Sequence, residues 1–235
     1  KVGVTADSHS VIREVLHTVC DIAVTRGLRG FKCLYKGMPR EGDPEAIHAV
    51  DDNERTARLI RGDEYLLLGG TTWLWSRADM ASAVDVLFIV GQLPLADAVA
   101  SAGAAESLVL VGDPQQMAGP LRGRHPPGAD ATAIEHLLRK NPTVSCATGL
   151  LLRKTWRLHP AIAQFTSEAF YESRLVSVPD LEKQAVVGSA LLPQAGLVYV
   201  PADPTTVVTA VEAIINDLAR PNVKWRSADQ AERPV

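Results

Sequence analysis

Two short stretches carry side chains suited to handling phosphate. The first is LVLVGDPQQM, Leu108 to Met117, where an apolar run delivers Gly112, Asp113, Pro114, Gln115 and Gln116 to its carboxyl end. Glycine permits close backbone approach, and a glutamine amide donates to one phosphate oxygen while accepting from a water. A polar turn closing a strand accounts for the same residues equally well. The second is TWRLHPAIAQF, Thr155 to Phe165. Pro160 suits the first turn of a helix, and Arg157 before it can reach a phosphate with its bidentate fork. A surface ion pair is the plainer account. Trp73, Trp75 and Trp156 have faces on which bases stack, although Trp73 and Trp75 equally suit packing between sheet and loop. Arg122, Arg124, Arg139, Lys140, Arg153 and Lys154 flank the two stretches, either as phosphate contacts or as a solvated charged face. His125 and His136 lack metal-ligand spacing, and Cys20, Cys33 and Cys146 form no CxxC pair, so no metal site is expected.

The elements that must position these residues alternate along the chain. Val2 to Ala6 reads as a buried strand. Val11, Val15 and Val19, with Ile12, Leu16 and Ala23, share one helical face. Ser8 or Ser10 can cap that helix and Gly27 can end it. Phe31 to Tyr35 reads as a strand, followed by the turn-rich KGMPREGDPE. Asn53 to Arg61 reads as a helix, Tyr65 to Leu68 as a strand closed by Gly69 and Gly70, Val84 to Val90 as a strand, Leu93 to Ala105 as a helix, Leu108 to Val111 as a strand and Thr132 to Arg139 as a helix. Strands apolar on both faces and separated by helices imply a mostly parallel sheet covered on both sides. Ligands then bind beyond the carboxyl ends of the strands, here after Ala6, Leu68, Val90 and Val111. After about residue 148 a second unit begins, with strands at Leu150 to Arg157 and Gly196 to Pro201, and helices at His159 to Tyr171 and Thr205 to Ala219.

The 235 residues carry 24 Lys and Arg against 27 Asp and Glu, a net charge of −3. That excludes a surface basic all round, but not a local basic channel. Hydrophobic residues at 46% exclude whole-chain disorder. The apolar stretch from Val84 to Gly112 is broken by Asp85, Gln92, Asp97 and Glu106, so no membrane partner is expected. No signal-like apolar region follows Lys1, and three scattered cysteines suit reduced thiols in the cytoplasm. The chain opens on a strand without Met and is expected to be a fragment.

GDPQQM, followed about forty residues on by TWRLHPAIAQFTSEAFYESRL, resembles motifs III and IV of superfamily 1 helicases. The branch is the one holding the RNA-surveillance helicases and the helicases fused to RecB-like nucleases. GVTADSHSVI, Gly3 to Ile12, is similar to its motif Ia, and GGTTWLW, Gly69 to Trp75, to its motif Ic. LRGRHPPGADATAIEHLL, Leu121 to Leu138, is similar to the loop and helix after motif III in the nuclease-fused subgroup. The resemblance implies a P-loop NTPase helicase core. In domain terms, 1–148 would be the remainder of a first RecA-like domain, with helices on both faces of its sheet, and 149–235 the truncated start of a second. It implies ATP-driven translocation along single-stranded DNA or RNA, with ATP and Mg²⁺ as cofactors of the parent protein. A RecB-like nuclease fused to the parent is a further partner to look for. Gln116 would sense the γ-phosphate and Arg157 would act as an arginine finger, the two catalytic positions, with Gln92, Gly112 and Asp113 completing the nucleotide side. Thr5, Ser8, His9, Thr71 and Thr72 would lie along the nucleic-acid track, contacting backbone more than bases.

Two departures bear on activity. No GxxxxGKS/T is present, so the phosphate-cradling loop would lie upstream of Lys1. The strand VDVLFI should run into Asp-Glu-Ala-Gly-Gln, yet Val90, Gly91 and Gln92 follow it, without the acids that anchor Mg²⁺ and polarise water. Motifs V and VI are absent as well. The expectation is a chain that by itself lacks hydrolytic competence. The alternative is a degenerate module binding nucleic acid or a partner protein.

Overall fold

VGVTA, Val2–Ala6, forms the first strand, β1, because valines alternating with small residues suit a ribbon packed on both faces. The computed structural model describes residues 1–116, 119, 123, 125–139 and 141–235. Met117, Leu121, Arg122, Arg124 and Lys140, named above, lie outside the described residues. The chain forms two compact units, Lys1–Lys140 and Asn141–Val235.

In the first unit β1 is followed by α1 (His9–Thr25), β2 (Cys33–Lys36), β3 (Ile47–Val50), α2 (Asn53–Arg61), β4 (Leu67–Gly69), α3 (Thr72–Trp75), β5 (Val84–Val90), α4 (Leu95–Ala102), β6 (Ala105–Val111) and α5 (Ala133–Leu138). The six strands make one sheet in the order β3-β2-β4-β1-β5-β6, and every pairing is parallel. A six-stranded parallel sheet flanked by helices is consistent with a RecA-like core. Side chains alternate across it. Val4, Ala6, Cys33, Tyr35 and Leu67 face one cluster, into which α1 inserts Ile12, Leu16 and Cys20. Leu34, Leu68, Leu87 and Ile89 face the other, with Ile60 of α2, Leu74 and Trp75 of α3, and Ala98 of α4. Helices thus cover both faces. Gly3 is a requirement of that second cluster: a Cβ there would stand 2.7 Å from Trp75 Cη2 and 2.8 Å from Leu87 Cδ1.

Local chemistry explains the boundaries. Ser8 caps α1, its Oγ accepting from Val11 N at 3.4 Å. The line α1 buries is Ile12, Leu16, Cys20 and Ala23, with Val11, Val15 and Val19 beside it. Asp52 caps α2 by accepting from Arg55 N at 2.6 Å. Thr132 and Glu135 form a reciprocal capping box at α5. Among the described residues β6 pairs only with β5, so it is an edge; Leu108, Val109 and Val111 along it are exposed.

The second unit holds β7 (Lys154–Thr155), α6 (Pro160–Phe170), β8 (Val176–Ser177), β9 (Ala185–Val187), α7 (Val207–Leu218), β10 (Lys224–Arg226) and β11 (Glu232–Pro234). Strands β11, β10 and β9 form a small antiparallel sheet, and β7 pairs with β8 in parallel. Asp217, 1% exposed, anchors α7 by accepting from Ser189 Oγ at 2.5 Å and Ala190 N at 3.1 Å. These bonds, opposed by burial, hold its carboxyl below the usual range.

Several boundaries differ from the sequence expectation. The strand expected over Leu150 to Arg157 contracts to β7, and Gly196 to Pro201 forms no strand. Leu197, Val198, Tyr199 and Val200 are exposed, and no described strand lies alongside to complete their hydrogen bonds, which apolar residues cannot supply for themselves. The helix expected over Leu93 to Ala105 ends at Ala102, and β6 starts three residues earlier than its apolar run.

Candidate nucleic-acid interface

Parallel strands end on one side of a sheet, and four of those ends build a cleft of about 710 Å³. The first turn of α1 contributes His9 and, four residues on, Arg13. The end of β2 contributes Tyr35 and Lys36, the end of β3 contributes Asp51, and the turn and helix after β4 contribute Thr71, Trp73, Ser76 and Arg77. The lining carries three fixed cations, Arg13, Lys36 and Arg77, against one acid, Asp51.

Each cation is held before any ligand arrives. Tyr35, 1% exposed, is the organising centre. Its hydroxyl hydrogen-bonds His9 Nδ1 at 2.6 Å, and the Arg13 guanidinium lies 4.3 Å from its ring centroid, a cation–π contact. Burial pushes the Tyr35 phenol up, so it stays protonated at neutral pH. Arg13 also donates to Asp43 and to the Met38 carbonyl. Asp43 further accepts from the Arg40 amide at 2.9 Å and bonds His17 Nε2 at 3.0 Å. Burial disfavours its charge, but the bonds from Arg13, His17 and Arg40 outweigh that and hold its carboxyl at about 2. Lys36 Nζ sits 2.9 Å from Asp51 Oδ1. Arg77 grips Asp79 bidentately at 2.9 and 2.8 Å. A phosphate entering this cleft meets cations already ordered by carboxylates set beside or behind them, so less side-chain entropy is lost on binding.

Of the five residues expected on a nucleic-acid track, His9 and Thr71 line this cleft. Ser8 stands beside it, its hydroxyl engaged as the α1 cap and with Ser10 Oγ at 3.0 Å. Thr72 opens α3 and is half-buried. Thr5 is elsewhere: wholly buried within β1, paired in register with Ile89, its hydroxyl without a hydrogen-bond partner among the described residues. Arg13, Tyr35, Lys36, Trp73 and Arg77 shape the cleft instead. Lys36 had a legible signal, since it closes a strand at the carboxyl end where ligands bind. Asp51 had none, because β3 is only four residues long and follows a turn-rich stretch.

The nucleotide-side residues Gln92, Gly112, Asp113 and Gln116 gather at the neighbouring ends of β5 and β6. Gln92 Nε2 donates to the Asp113 carbonyl, and Gln116 N donates to the same oxygen at 3.1 Å. Gln115 N donates to Asp113 Oδ1 at 3.0 Å, an Asx turn. The close approach that Gly112 permits is to protein: a Cβ there would stand 2.6 Å from Ile134 Cδ1 and 2.9 Å from the Gly91 carbonyl oxygen. Arg157 belongs to the second unit, exposed, its backbone N–H donating to Thr155 Oγ1 at 3.3 Å. Of the flanking basic cluster, Arg153 Nε donates to the Arg174 carbonyl at 3.2 Å and Lys154 is exposed on β7.

Mg²⁺ with ATP asks for a carboxylate at the end of β5. Gln92 stands there, its Oε1 buried and without a partner among the described residues. Asp85 is at the opposite end of β5, paired with the Lys1 amino group, and Asp97 is exposed on α4. Among the described residues no group of three His, Cys, Asp or Glu could hold a metal ion. The end of β5 thus offers an amide where a magnesium nucleotide asks for a carboxylate. Among the described residues no helix is long and apolar enough to cross a membrane.

No protein-family model matches the chain. Part of it is similar to the 5'-3' DNA helicase ZGRF1 of Mus musculus, at 34% identity over 89 residues. That stretch is 35% of this chain and 4% of the relative, so the chain spans a small part of the relative's length. The similarity and the parallel sheet together support a helicase-like origin.

Proposed function

We propose that the first unit grips single-stranded nucleic acid along the carboxyl end of its sheet, as a strand-binding part of a protein of superfamily 1 helicase descent. The cleft carries this reading: Arg13, Lys36 and Arg77 are prepositioned beside an aromatic surface, the combination that single-strand binders use. The partial likeness to a DNA helicase supports it. Gln116 and Arg157 stand at the positions that, by the motif resemblance, sense the terminal phosphate and meet transition-state charge in superfamily 1 helicases. The 235-residue chain binds a strand but does not turn over ATP, because the end of β5 offers an amide where an acid is needed.

Fluorescence anisotropy with a labelled oligothymidylate, titrated across salt, tests the binding half. Two or three phosphate contacts predict a slope of log K against log salt of about −1.4 to −2.1. An affinity indifferent to salt, or none at low salt, overturns the cleft assignment. Turnover of ATP by this chain, stimulated by single strands and abolished by Gln116→Ala, overturns the claim of hydrolytic incompetence.

A further inference from the structure

α3 carries two tryptophans two residues apart, and the fold treats them oppositely. Trp75 is 1% exposed, its ring against Gly3 and Leu87 and its Nε1 donating to the Gly70 and Val4 carbonyls at 2.9 and 3.3 Å. Trp73 is 84% exposed and lines the cleft. No ring or cation–π contact engages it among the described residues. A large indole in water adds little to folding, yet this one sits on a helix turn that its neighbour Trp75 ties to Val4 of β1 and to Gly70 in the turn after β4, with its ring buried. The backbone beneath it is therefore anchored, and its face is open in the cleft that Lys36 and Arg77 also line.

We propose that Trp73 is a base-stacking platform, on which one nucleobase of the bound strand lies while Lys36 and Arg77 hold the phosphates on either side. This rests on the nucleic-acid reading above and specifies its contacts. Every base presents a π-face, so the platform accepts all four and adds affinity without sequence preference. It also separates two ligands of equal charge: a strand with bases gains the contact, and an abasic phosphodiester strand does not.

Binding of oligothymidylate and of an abasic strand of equal length, measured in parallel on four proteins, tests it. Stacking of this kind is worth about tenfold or more in affinity per base. Trp73→Ala is expected to weaken oligothymidylate by that factor and leave the abasic strand and the salt slope unchanged. Trp73→Phe, which keeps a ring, is expected to retain most of the affinity while losing the fluorescence quenching that stacking on the indole produces. Lys36→Gln combined with Arg77→Gln is expected to weaken both strands and flatten the salt slope by about 0.7 per lost contact. If Trp73→Ala leaves both strands alike, or weakens both equally, while the cation variant still acts, the platform is refuted and the nucleic-acid reading stands. If the unsubstituted chain binds neither strand, the reading itself falls and the platform with it.

Discussion

Gly3→Ala is the substitution whose outcome follows most directly from the packing. Gly3 lies in β1 between Leu67–Leu68 of β4 and Leu87 of β5, and its Cα faces the Trp75 ring. The added methyl would meet Trp75 at 2.7 Å and Leu87 at 2.8 Å, both closer than carbon atoms tolerate. Neither neighbour is the loose end of a flexible side chain: Trp75 is fixed by its two hydrogen bonds and Leu87 is wholly buried. Overpacking of this kind costs about 1–3 kcal/mol, against which alanine regains about 0.5–1 kcal/mol of backbone entropy in a strand. The net expectation is a loss centred on about 1 kcal/mol. With a urea slope of about 2 kcal/mol per molar, the midpoint falls by about 0.5 M at unchanged slope. Because Trp75 fixes α3, single-strand affinity should fall in the same variant at concentrations of urea well below the transition. A midpoint equal to or above that of the unsubstituted chain would refute the argument that this glycine exists for the indole.

Three further outcomes are expected. Asp43, held at about 2 against an unfolded value of 3.8, contributes stability above the unfolded value that is lost as pH falls from about 4 to about 2. The contribution is about 1–2 kcal/mol once solvent screening is allowed for. The urea midpoints of the unsubstituted chain and of Asp43→Asn should therefore converge over that range, and a gap constant with pH would sink the assignment. Gly112→Ala should destabilise by about 1–3 kcal/mol, because its methyl meets the Gly91 carbonyl and Ile134; protease cleavage near Gln115 and Gln116 should quicken, and unchanged cleavage would count against it. Cys20 and Cys33 are buried with their sulfurs 3.8 Å apart, and burial pushes both thiols up, whereas Cys146 is exposed. A thiol reagent at pH 8 should titrate one cysteine in the folded chain and three in denaturant, and three fast thiols in the folded chain would contradict the burial.

Strands apolar on both faces made the parallel sheet legible in the sequence, since VDVLFIV and VGVTA have no polar side to turn to water. The helix expected over Asn53 to Arg61 forms with those bounds, and the one expected over His159 to Tyr171 forms as Pro160–Phe170, because a cap and an N-terminal proline act within a few residues. What escaped was non-local. β3 and β9 to β11 are short and hold their shape through partners far along the chain, and LVYV near residue 200 has strand composition without a strand to pair with. The cleft was half legible. His9 and Thr71, which the motif resemblance sets on a nucleic-acid track, line it, but Arg13, Lys36 and Arg77 gain their meaning from Tyr35, Asp51 and Asp79, which no spacing places beside them. Trp73 and Trp75, equivalent by composition, are separated only by which side of α3 meets β1.

The edge formed by β6 has a bearing on how the chain behaves in a tube. AESLVLV offers Glu106 as its sole charge and leaves one row of peptide groups free of sheet partners among the described residues, beside exposed Leu108, Val109 and Val111. Protected edges carry lysines, prolines or bulges; this one carries none of them. Such a strand is a template for any other extended segment, including β6 of another copy, so turbidity and apparent mass should climb with concentration and time, and Val109→Lys should suppress both while leaving the opposite flank of the sheet, with its cleft, untouched.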